Sequence, residues 1–348
     1  MNMKYRSLGN SDLVIPVLAL GTATFGGGND FFKKWGQTDA KEASELVSVA
    51  LDAGCNLFDT ADAYSSGLSE EILGQAIAGR RDELLIATKT GLRMGPGDGD
   101  IGASGERIIR ACEASLRRLG TEHIDLYQLH AFDALTPVEE MLWALERLLG
   151  DGKIGQYGVS NFSGWHLMKM LGLADQHHLP RPVSHQVYYS LVDRETEWEL
   201  MPLALDQNVS SLIWSPLAGA KLTGKLGRNK PVPEDSRAAT DASMTTDRER
   251  LYKITDELEK LSQETGHTIA QLSLAWLLAR PSVGSVIVGA RNADQLRDNL
   301  LASSIQLEAE QIARLDAASA RRPIYPYWHQ AAVYSERNPA PITLALSY

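Results

Sequence analysis

Short apolar runs alternate with longer segments of helical periodicity along most of the chain. The short runs are typical of buried parallel strands, and the longer segments repeat apolar residues three or four positions apart. Strand candidates that are each followed by a helix candidate favour an α/β fold, here a (β/α)8 TIM barrel. The eight strand candidates are residues 17–20, 57–59, 84–88, 124–129, 155–159, 183–187, 211–214 and 283–288.

The helix candidates start and stop at residues that commonly cap helices. Ser104 precedes one helical segment and Gly120 follows it, while Gly266 interrupts a long one. The segments expected to be helical are residues 41–53, from Ser69 to a stop at Gly79, from Ser104 to Gly120, 137–149, a segment after Ser163, 195–205, 248–279 and 293–301.

Further segments flank the expected barrel. Residues 5–8 and 13–16 predict an N-terminal β-hairpin, residues 308–318 an extra helix, and residues 320–348 a C-terminal tail. We interpret residues 1–348 as a single barrel domain. A doubly wound sheet is the competing fold, and GDGDIG at residues 97–102 matches its glycine fingerprint. That match does not follow a strand end, and its aspartates would repel a pyrophosphate.

Composition and charge argue against several classes of protein. The 348 residues carry a net charge of −10 and no run rich in Lys and Arg, which disfavours a nucleic-acid partner. No apolar signal core or membrane-length apolar stretch is present, so we expect no membrane association. Cys55 and Cys112 do not make a disulfide framework, which predicts a reduced, cytoplasmic protein. No metal-ligand spacing or Ser-His-Asp arrangement occurs. A homo-oligomer is possible, and the sequence does not decide the oligomeric state.

Polar residues stand where the predicted strands end. Asp59, Lys89 and His130 each follow an apolar run, and Tyr64 lies in the loop after Asp59. Catalytic groups of such barrels lie at the carboxyl ends of the strands, so these side chains are expected to converge. Taken singly, each has an ordinary interpretation as a turn, solvent-facing or core residue. The four together indicate a catalytic site.

These residue types suit proton delivery to a reacting oxygen. A tyrosine has an ordinary pKa of about 10, and a nearby ammonium lowers that pKa by stabilising the phenolate. Asp59 would hold Lys89 charged and in place, while Tyr64 donates a proton and His130 orients the oxygen. General acid catalysis of this kind contributes roughly 10²–10⁴ in rate. The set suits hydride addition to a carbonyl, in which carbon receives the hydride and oxygen the proton.

At these residues the sequence resembles the aldo-keto reductases, over roughly residues 5–317. The motifs are GCNLFDTADAY at residues 54–64 followed by Ser69-Glu70, ATK at 87–89, DLYQLH at 125–130 and GVSNF at 158–162. The likeness is to the long-chain group, which resembles potassium-channel β-subunits and general-stress-type bacterial reductases. It implies a barrel that binds a nicotinamide cofactor, with Tyr64 as the proton donor. Channel β-subunits look different at the position of His130, so the full set favours an enzyme.

The same resemblance implies the cofactor contacts. Ser160, Asn161 and Gln186 would hydrogen-bond the nicotinamide carboxamide, and Trp214 would stack on the nicotinamide ring. Arg291 opens the last helix and suits a 2′-phosphate, so NADP(H) is expected rather than NAD(H). The alternative for Arg291, as for Arg237, is a solvent-facing arginine. The implied cofactor-binding residues are Gly21, Thr22, Ala23, Asp59, Ser160, Asn161, Gln186, Trp214, Ser215, Pro216, Leu217, Gly219, Lys225, Arg237, Gly289, Arg291, Gln295, Asp298 and Asn299.

We therefore expect an NADP-dependent oxidoreductase that reduces aldehydes, ketones or sugar carbonyls to alcohols. Two alternatives stay open: a cofactor-binding sensor or regulatory subunit with low turnover, and a barrel lyase or isomerase that uses Tyr64 without nicotinamide. Substrate contacts are expected from mouth loops and the tail. These candidates are residues 25–35, 131–135 and 188–189, with Tyr325, Tyr327, Trp328 and His329.

Overall fold

The computed structural model of the protein describes residues 3–27, 33, 35–228, 230 and 247–334. Within these residues, eight parallel strands close into a barrel, which confirms the predicted architecture. An antiparallel hairpin precedes it, also as predicted. The hairpin strands are β1 (Tyr5–Ser7) and β2 (Val14–Pro16). The barrel strands are β3 (Leu18–Gly21), β4 (Leu57–Asp59), β5 (Leu85–Thr90), β6 (Ile124–Leu129), β7 (Ile154–Ser160), β8 (Ser184–Tyr188), β9 (Ser210–Trp214) and β10 (Val283–Val288).

Helices cover the outside of the barrel and bury their apolar faces against the strands. In α1, for example, Ala43, Leu46, Val47 and Ala50 are buried, at the spacing of one helical face. The helices of the described chain are α1 (Ala40–Asp52), α2 (Leu68–Ala76), α3 (Gly105–Leu119), α4 (Val138–Gly150), α5 (Gly164–Gln176), α6 (Leu200–Gln207), α7 (Arg248–Thr265), α8 (Ile269–Leu278), α9 (Ala293–Leu300), α10 (Ala309–Ser319) and α11 (Tyr327–Tyr334).

Capping residues set where these helices begin and end. The carboxylate of Asp39 accepts hydrogen bonds from the backbone amides of Lys41 and Glu42 and so begins α1. Ser104 caps the start of α3, and Gly120 ends it in the left-handed conformation with a φ of 64°. Both boundaries of α3 are as the sequence predicts.

The N-terminal hairpin closes the base of the barrel. Gly9 lies at its turn with a φ of 56°, and a Cβ at this position would lie 2.2 Å from the carbonyl oxygen of Val183. Only glycine fits such a contact. Arg6 in β1 donates hydrogen bonds to the carbonyl oxygens of Val283 and, at 2.8 Å, of Leu278. The hairpin therefore covers the amino ends of the barrel strands, opposite the barrel mouth at their carboxyl ends.

The interior of the barrel is apolar at its base and polar towards its mouth. The apolar cluster at the base is formed by Leu8, Ile15, Ala19, Leu57, Ala87, Leu126, Val183, Leu212 and Ile287. Nearer the carboxyl ends of the strands, the buried side chains are Asp59, Lys89, Gln128, His130 and Gln186. Buried polar groups are costly unless they are hydrogen-bonded, so these side chains must satisfy one another.

Two parts of the chain differ from the sequence prediction. Residues 195–205 do not form one helix, because a 3-10 turn at Glu195–Glu197 precedes α6 and carries the buried Arg194–Glu197 ion pair. The expected tail contains α11, whose Tyr327 ring stacks 6.3 Å from that of Trp198. Arg237 lies outside the described residues.

Candidate active site

The strand ends bring the four predicted side chains together at the barrel mouth. Asp59 ends β4, Lys89 lies one residue before the end of β5, and His130 follows β6 directly. Tyr64 begins a 3-10 turn after β4, in which Ser65 and the next serine have positive φ angles of 49° and 57°. Such strained backbone concentrates at functional sites, and here it adjoins Tyr64, whose Oη lies 3.1 Å from Lys89 Nζ.

Lys89 links the aspartate to the tyrosine. Its ammonium lies 2.6 Å from Asp59 Oδ1 and 3.1 Å from Tyr64 Oη, and it also donates to the carbonyl oxygen of Thr60 at 2.8 Å. The Lys89 side chain is fully buried and the Asp59 side chain nearly so. Because an uncompensated buried charge is strongly destabilising, removal of either partner of this ion pair would destabilise the fold.

Burial and charge act in opposite directions on this group. Burial lowers the pKa of Lys89, but the charge of Asp59 and the hydrogen bonds raise that pKa by more, so Lys89 is an ammonium. Burial raises the pKa of Tyr64 and outweighs the lowering by Lys89, so the net pKa lies above its ordinary value. The sequence predicted that Lys89 lowers the pKa of Tyr64. Lys89 does make that contribution, but burial exceeds it. Tyr64 is consequently a neutral phenol, the form that can donate a proton.

His130 is a neutral imidazole beside the phenol. Its ring centroid lies 5.8 Å from that of Tyr64, edge to face. Burial, with a smaller contribution from Lys89, lowers the pKa of His130 to about 3. Nδ1 of His130 has no hydrogen-bond partner in the described part of the chain. The imidazole is therefore uncharged at physiological pH and suited to hydrogen-bonding an oxygen at the mouth.

Two buried glutamines contact Asp59 from the other side of the barrel. Nε2 of Gln186 donates to Asp59 Oδ2 at 2.8 Å, and Nε2 of Gln128 approaches the same oxygen at 3.4 Å. The expectation placed Gln186 at the cofactor, and the structure engages its amide nitrogen with Asp59. The sequence did not lead us to predict a site role for Gln128. Its position two residues before His130 could have indicated one, because alternate residues of a strand share a face.

Trp214, Asn161 and Ser160 meet at the ends of β9 and β7. The indole Nε1 of Trp214 donates to Asn161 Oδ1 at 3.1 Å. Nδ2 of Asn161 donates to Ser160 Oγ and to the carbonyl oxygen of His130, both at 3.0 Å. The ring of Tyr188 supports the indole at a centroid distance of 4.7 Å. These residues thus form a connected wall next to His130.

The whole barrel matches a known family of sequences. A sequence profile of the Aldo/keto reductase family matches residues 17–320. This chain belongs to the aldo/keto reductase family. The matched range includes every barrel strand and the four side chains Asp59, Tyr64, Lys89 and His130.

Relatives that resemble this chain over most of its length carry names of more than one kind. The "uncharacterized oxidoreductase YrpG" of Bacillus subtilis (strain 168) is 37% identical over 90% of this chain and 95% of its own. The "probable voltage-gated potassium channel subunit beta" of Arabidopsis thaliana is 35% identical over 87% and 92%. The "aldo-keto reductase YhdN" of Bacillus subtilis is 35% identical over 84% and 87%. The family and its oxidoreductase members support an oxidoreductase of the carbonyl-reductase type.

Aldo/keto reductases generally use nicotinamide cofactors, and the loop after β9 suits the phosphates of one. Ser215, Ala218, Gly219 and Ala220 all have positive φ angles, between 49° and 73°. Each such non-glycine residue costs on the order of 1–3 kcal/mol and is typical of ligand-binding segments. Turns of this kind present backbone amides to anions. Pro216 is buried, Leu217 is half-buried, and Lys225 is exposed beyond this loop.

The start of α9 offers a second anion-binding feature. Arg291 is exposed just before the N-cap residue Asn292, and its backbone amide donates to Gln295 Oε1 at 3.1 Å. A Cβ placed on Gly289 would meet no other atom within 4 Å, so the strand end there is open. A helix N-terminus beside an exposed arginine fits a phosphate group. Asn299, further along α9, is buried.

Several residues expected at the cofactor are engaged within the protein. Asp298 Oδ1 accepts a hydrogen bond from Gln271 Nε2 at 2.8 Å, which joins α9 to α8. Thr22 is fully buried, and its hydroxyl lies 2.9 Å from Ser69 Oγ. Gly21 is also buried, and Ala23 is half-buried.

Aromatic side chains line part of the mouth. Phe132, two residues after His130, stacks on His166 at 3.7 Å, and Trp165 beside them is 60% exposed. Phe25 and Tyr189, which the sequence suggested as substrate contacts, are fully buried in the core. An open cleft of about 460 Å³ lies beside Asn161, a volume typical of small-molecule sites. Its lining residues are Asn161, Phe162, Val187, Tyr188, Asp193, Glu195, Thr196 and Leu200.

Among the described residues, no group of three or more His, Cys, Asp or Glu side chains is arranged to hold a metal ion. The helices described here include none whose length and apolar content would let it cross a membrane.

Proposed function

We propose that the protein is an NADP-dependent oxidoreductase that reduces aldehydes and ketones to alcohols, with Tyr64 as the proton donor. The observation that carries this proposal is the position of the Lys89 ammonium, bonded to Asp59 at 2.6 Å and to Tyr64 at 3.1 Å. A buried cation next to a phenol stabilises the phenolate that forms when the phenol gives up its proton. Family membership supports the same chemistry.

Each side chain of the mouth has one role in the proposed reaction. The reduced nicotinamide, when bound, supplies a hydride to the carbonyl carbon. Tyr64 transfers its Oη proton to the carbonyl oxygen, and Lys89 stabilises the phenolate left behind. Asp59 keeps the ammonium charged and in place, while the neutral imidazole of His130 hydrogen-bonds the carbonyl oxygen and orients it. Proton donation contributes roughly 10²–10⁴ in rate, and preorganised donors add a comparable amount.

The cofactor would be held by the residues on either side of this group. Ser160, Asn161 and Gln186 present polar atoms suited to a carboxamide, and Trp214 presents an aromatic face suited to a ring. The backbone of residues 215–220 and the charge of Lys225 suit a pyrophosphate. Arg291 suits a 2′-phosphate, which is the basis for proposing NADP rather than NAD.

A regulatory subunit of the same fold is the second candidate. The observation in its favour is the relative named as a probable potassium channel β-subunit, which is 35% identical to this chain. Titration of the purified protein with NADPH, followed by cofactor fluorescence, and then addition of benzaldehyde separates the two functions. Binding with turnover supports the enzyme. Binding without turnover over a panel of aldehydes and ketones supports the regulatory subunit.

The proton-donor role is tested by Tyr64→Phe. Removing the hydroxyl eliminates the proton that the substrate oxygen receives, so carbonyl reduction is expected to fall at least about 10²-fold, the lower end of the general-acid effect. NADPH affinity should stay close to that of the wild type, because the phenyl ring is retained. Steady-state kinetics and fluorescence titration measure the two quantities.

Tyr5→Phe is the matched control for this experiment. Tyr5 lies in the hairpin that closes the barrel base, and its hydroxyl donates a hydrogen bond to the carbonyl oxygen of Gly54. This variant loses a phenol hydroxyl far from the mouth and is expected to keep its activity. Near-normal turnover in Tyr64→Phe would refute the proton-donor role.

The cofactor preference is tested by Arg291→Ala. A hydrogen-bonded guanidinium–phosphate contact contributes about 1.5–3 kcal/mol, so NADPH is expected to bind roughly 10- to 100-fold more weakly. NADH lacks the 2′-phosphate and should bind with nearly unchanged affinity. Fluorescence titration with both cofactors measures this, with Arg147→Ala, an exposed arginine on α4, as the control. Equal losses for the two cofactors would rule out the 2′-phosphate contact.

A further inference from the structure

Gln128 and Gln186 place two neutral amides inside the barrel, directly against a catalytic carboxylate. Gln128 is fully buried and Gln186 is 2% exposed. Gln128 pairs with Lys89 across β6 and β5, and Gln186 lies opposite on β8. The two amide groups also approach each other, with Gln186 Nε2 3.5 Å from Gln128 Oε1. They form one polar unit between the apolar base of the barrel and Asp59.

Each of the two amides directs one hydrogen towards the same oxygen of Asp59, Oδ2. Gln186 Nε2 directs one hydrogen to Asp59 Oδ2 at 2.8 Å and its second towards Gln128. Gln128 Nε2 approaches the same Oδ2 at 3.4 Å, while Lys89 holds Oδ1 at 2.6 Å. The amides therefore hydrogen-bond one oxygen of the carboxylate, and the ammonium hydrogen-bonds the other. It cannot rotate without breaking one set of contacts.

We propose that Gln128 is a positioning residue of the active site, acting through Asp59 together with Gln186. Its amide orients the carboxylate so that Oδ1 faces Lys89 and holds the ammonium against Tyr64. This inference rests on the proposed role of Tyr64 as the proton donor.

A purely structural role for Gln128 would be met better by an apolar side chain. The next inward-facing residue on the same strand, Leu126, is apolar and fully packed in the base cluster. A buried amide costs free energy unless it makes hydrogen bonds, and the described partners of the Gln128 amide are Asp59 and Gln186. The placement of a glutamine here therefore points to the carboxylate that it contacts.

Gln128→Met removes the amide while keeping the length of the side chain. We expect kcat for benzaldehyde reduction with NADPH to fall roughly 10- to 100-fold, the equivalent of one hydrogen bond to a charged group, with KM for NADPH little changed. In an Asp59→Asn background the same substitution should have little further effect, because the residue it acts through is already altered. An equal loss in both backgrounds would overturn the proposal.

Gln128→Glu provides a second test with a distinct signature. The groups that interact electrostatically in this site are Asp59, Lys89, Tyr64 and His130. At low pH the introduced acid carries a proton and can donate to Asp59 as the amide does. As pH rises the two carboxylates repel, the negative charge beside Lys89 grows, and the Tyr64 phenolate becomes harder to form. The variant should therefore approach wild-type kcat at acidic pH and lose activity towards alkaline pH.

The outcomes separate this inference from the proposed function. Active Tyr64→Phe would refute the proton donor itself, whatever the glutamine variants do. Inactive Tyr64→Phe with wild-type kcat and pH profile in Gln128→Met and Gln128→Glu would refute only the positioning role. Chemical unfolding of each variant accompanies the kinetics. If Gln128→Met does not fold, the pH profile of Gln128→Glu decides, and a profile parallel to the wild type overturns the proposal.

Discussion

Asp62 is a buried carboxylate two residues before Tyr64. Its Oδ2 accepts a hydrogen bond from Thr90 Oγ1 at 2.8 Å, and its Oδ1 has no partner within the described residues. Burial raises the pKa of Asp62 to about 6, although Thr90 lowers it. The ionised side chain is therefore a cost to the folded state at neutral pH. The same loop carries Tyr64, the proposed proton donor, so the destabilising carboxylate lies beside the proposed active site.

The pH dependence of stability follows from that pKa. Because the folded-state pKa is raised, the contribution of Asp62 is fully present below its ordinary value near 4 and is lost as pH rises through about 6. A shift of about two pKa units corresponds to about 3 kcal/mol. Asp62→Asn stays neutral, so its stability relative to the wild type should increase by about this amount between pH 4 and pH 8.

Urea unfolding at several pH values measures this difference. His130 and His185 act in the opposite direction, since burial lowers the pKa of His130 to about 3 and that of His185 to about 4. Both histidines are neutral in the folded state and favour unfolding in acid. They are present in both proteins, so their effect cancels in the difference. Parallel stability curves for wild type and Asp62→Asn would contradict the assignment.

At the scale of elements, Arg107 ties α3 to the long loop after β5. Its guanidinium donates to the carbonyl oxygens of Leu92, Asp100 and Gly102 at 2.7, 3.1 and 3.0 Å. It also donates to Thr90 Oγ1 at 2.9 Å, the hydroxyl that contacts Asp62. One buried side chain thus fixes a mouth loop and joins it to the loop that carries Tyr64.

We expect Arg107→Met to loosen the loop at residues 91–102. Losing the guanidinium removes its charge-assisted hydrogen bonds to three partly buried carbonyl oxygens, which costs roughly 1–3 kcal/mol in stability. Cleavage within residues 91–102 by a nonspecific protease should become faster, as measured by limited proteolysis and mass spectrometry. Arg107→Lys should rescue only part of the effect, because an ammonium cannot reproduce the forked geometry.

Arg117→Met is the control on the same helix, since Arg117 is exposed on the outer face of α3. It should leave the proteolysis pattern and the stability close to the wild type. If Arg107→Met and Arg117→Met behave alike, Arg107 does not hold the loop.

At the scale of the whole molecule, the buried Arg194 side chain joins the loop after β8 to helix α10. Arg194 donates to both carboxylate oxygens of Glu197 at 2.8 Å and to Ser319 Oγ at 2.8 Å. Its guanidinium also lies 5.2 Å from the Trp276 ring centroid, in α8. Segments more than a hundred residues apart in sequence therefore meet at one side chain.

Arg194→Met tests this long-range contact. Removing one partner of a buried ion pair leaves an uncompensated charge on Glu197 and costs about 3–5 kcal/mol. The midpoint of urea unfolding should fall accordingly. Arg147→Met, which breaks an exposed pair with Asp151, should change stability by no more than about 0.5 kcal/mol. Equal midpoints for the two variants would show that the Arg194 network contributes no more than a surface pair.

Much of the molecule follows from local sequence signals. Strand β6 and strand β10 have the predicted boundaries, and the ends of α3 follow from Ser104 and Gly120. The positions of Asp59, Lys89 and His130 at strand ends led to a shared site, because parallel strands of a barrel bring their carboxyl ends together. The prediction of one helix over residues 195–205 was wrong. The buried Arg194–Glu197 pair accompanies a 3-10 turn there, and helical spacing carries no signal for such a pair.

The sequence by itself determined the alternation of strands and helices and the residue types at the mouth, since hydrophobic periodicity and capping act over a few neighbouring residues. The tertiary structure alone decided that Gln128 contacts Asp59, that Asp298 bonds α8, and that burial outweighs Lys89 in setting the Tyr64 pKa. Each of these depends on distances and desolvation that exist only once strands remote in sequence have closed the barrel.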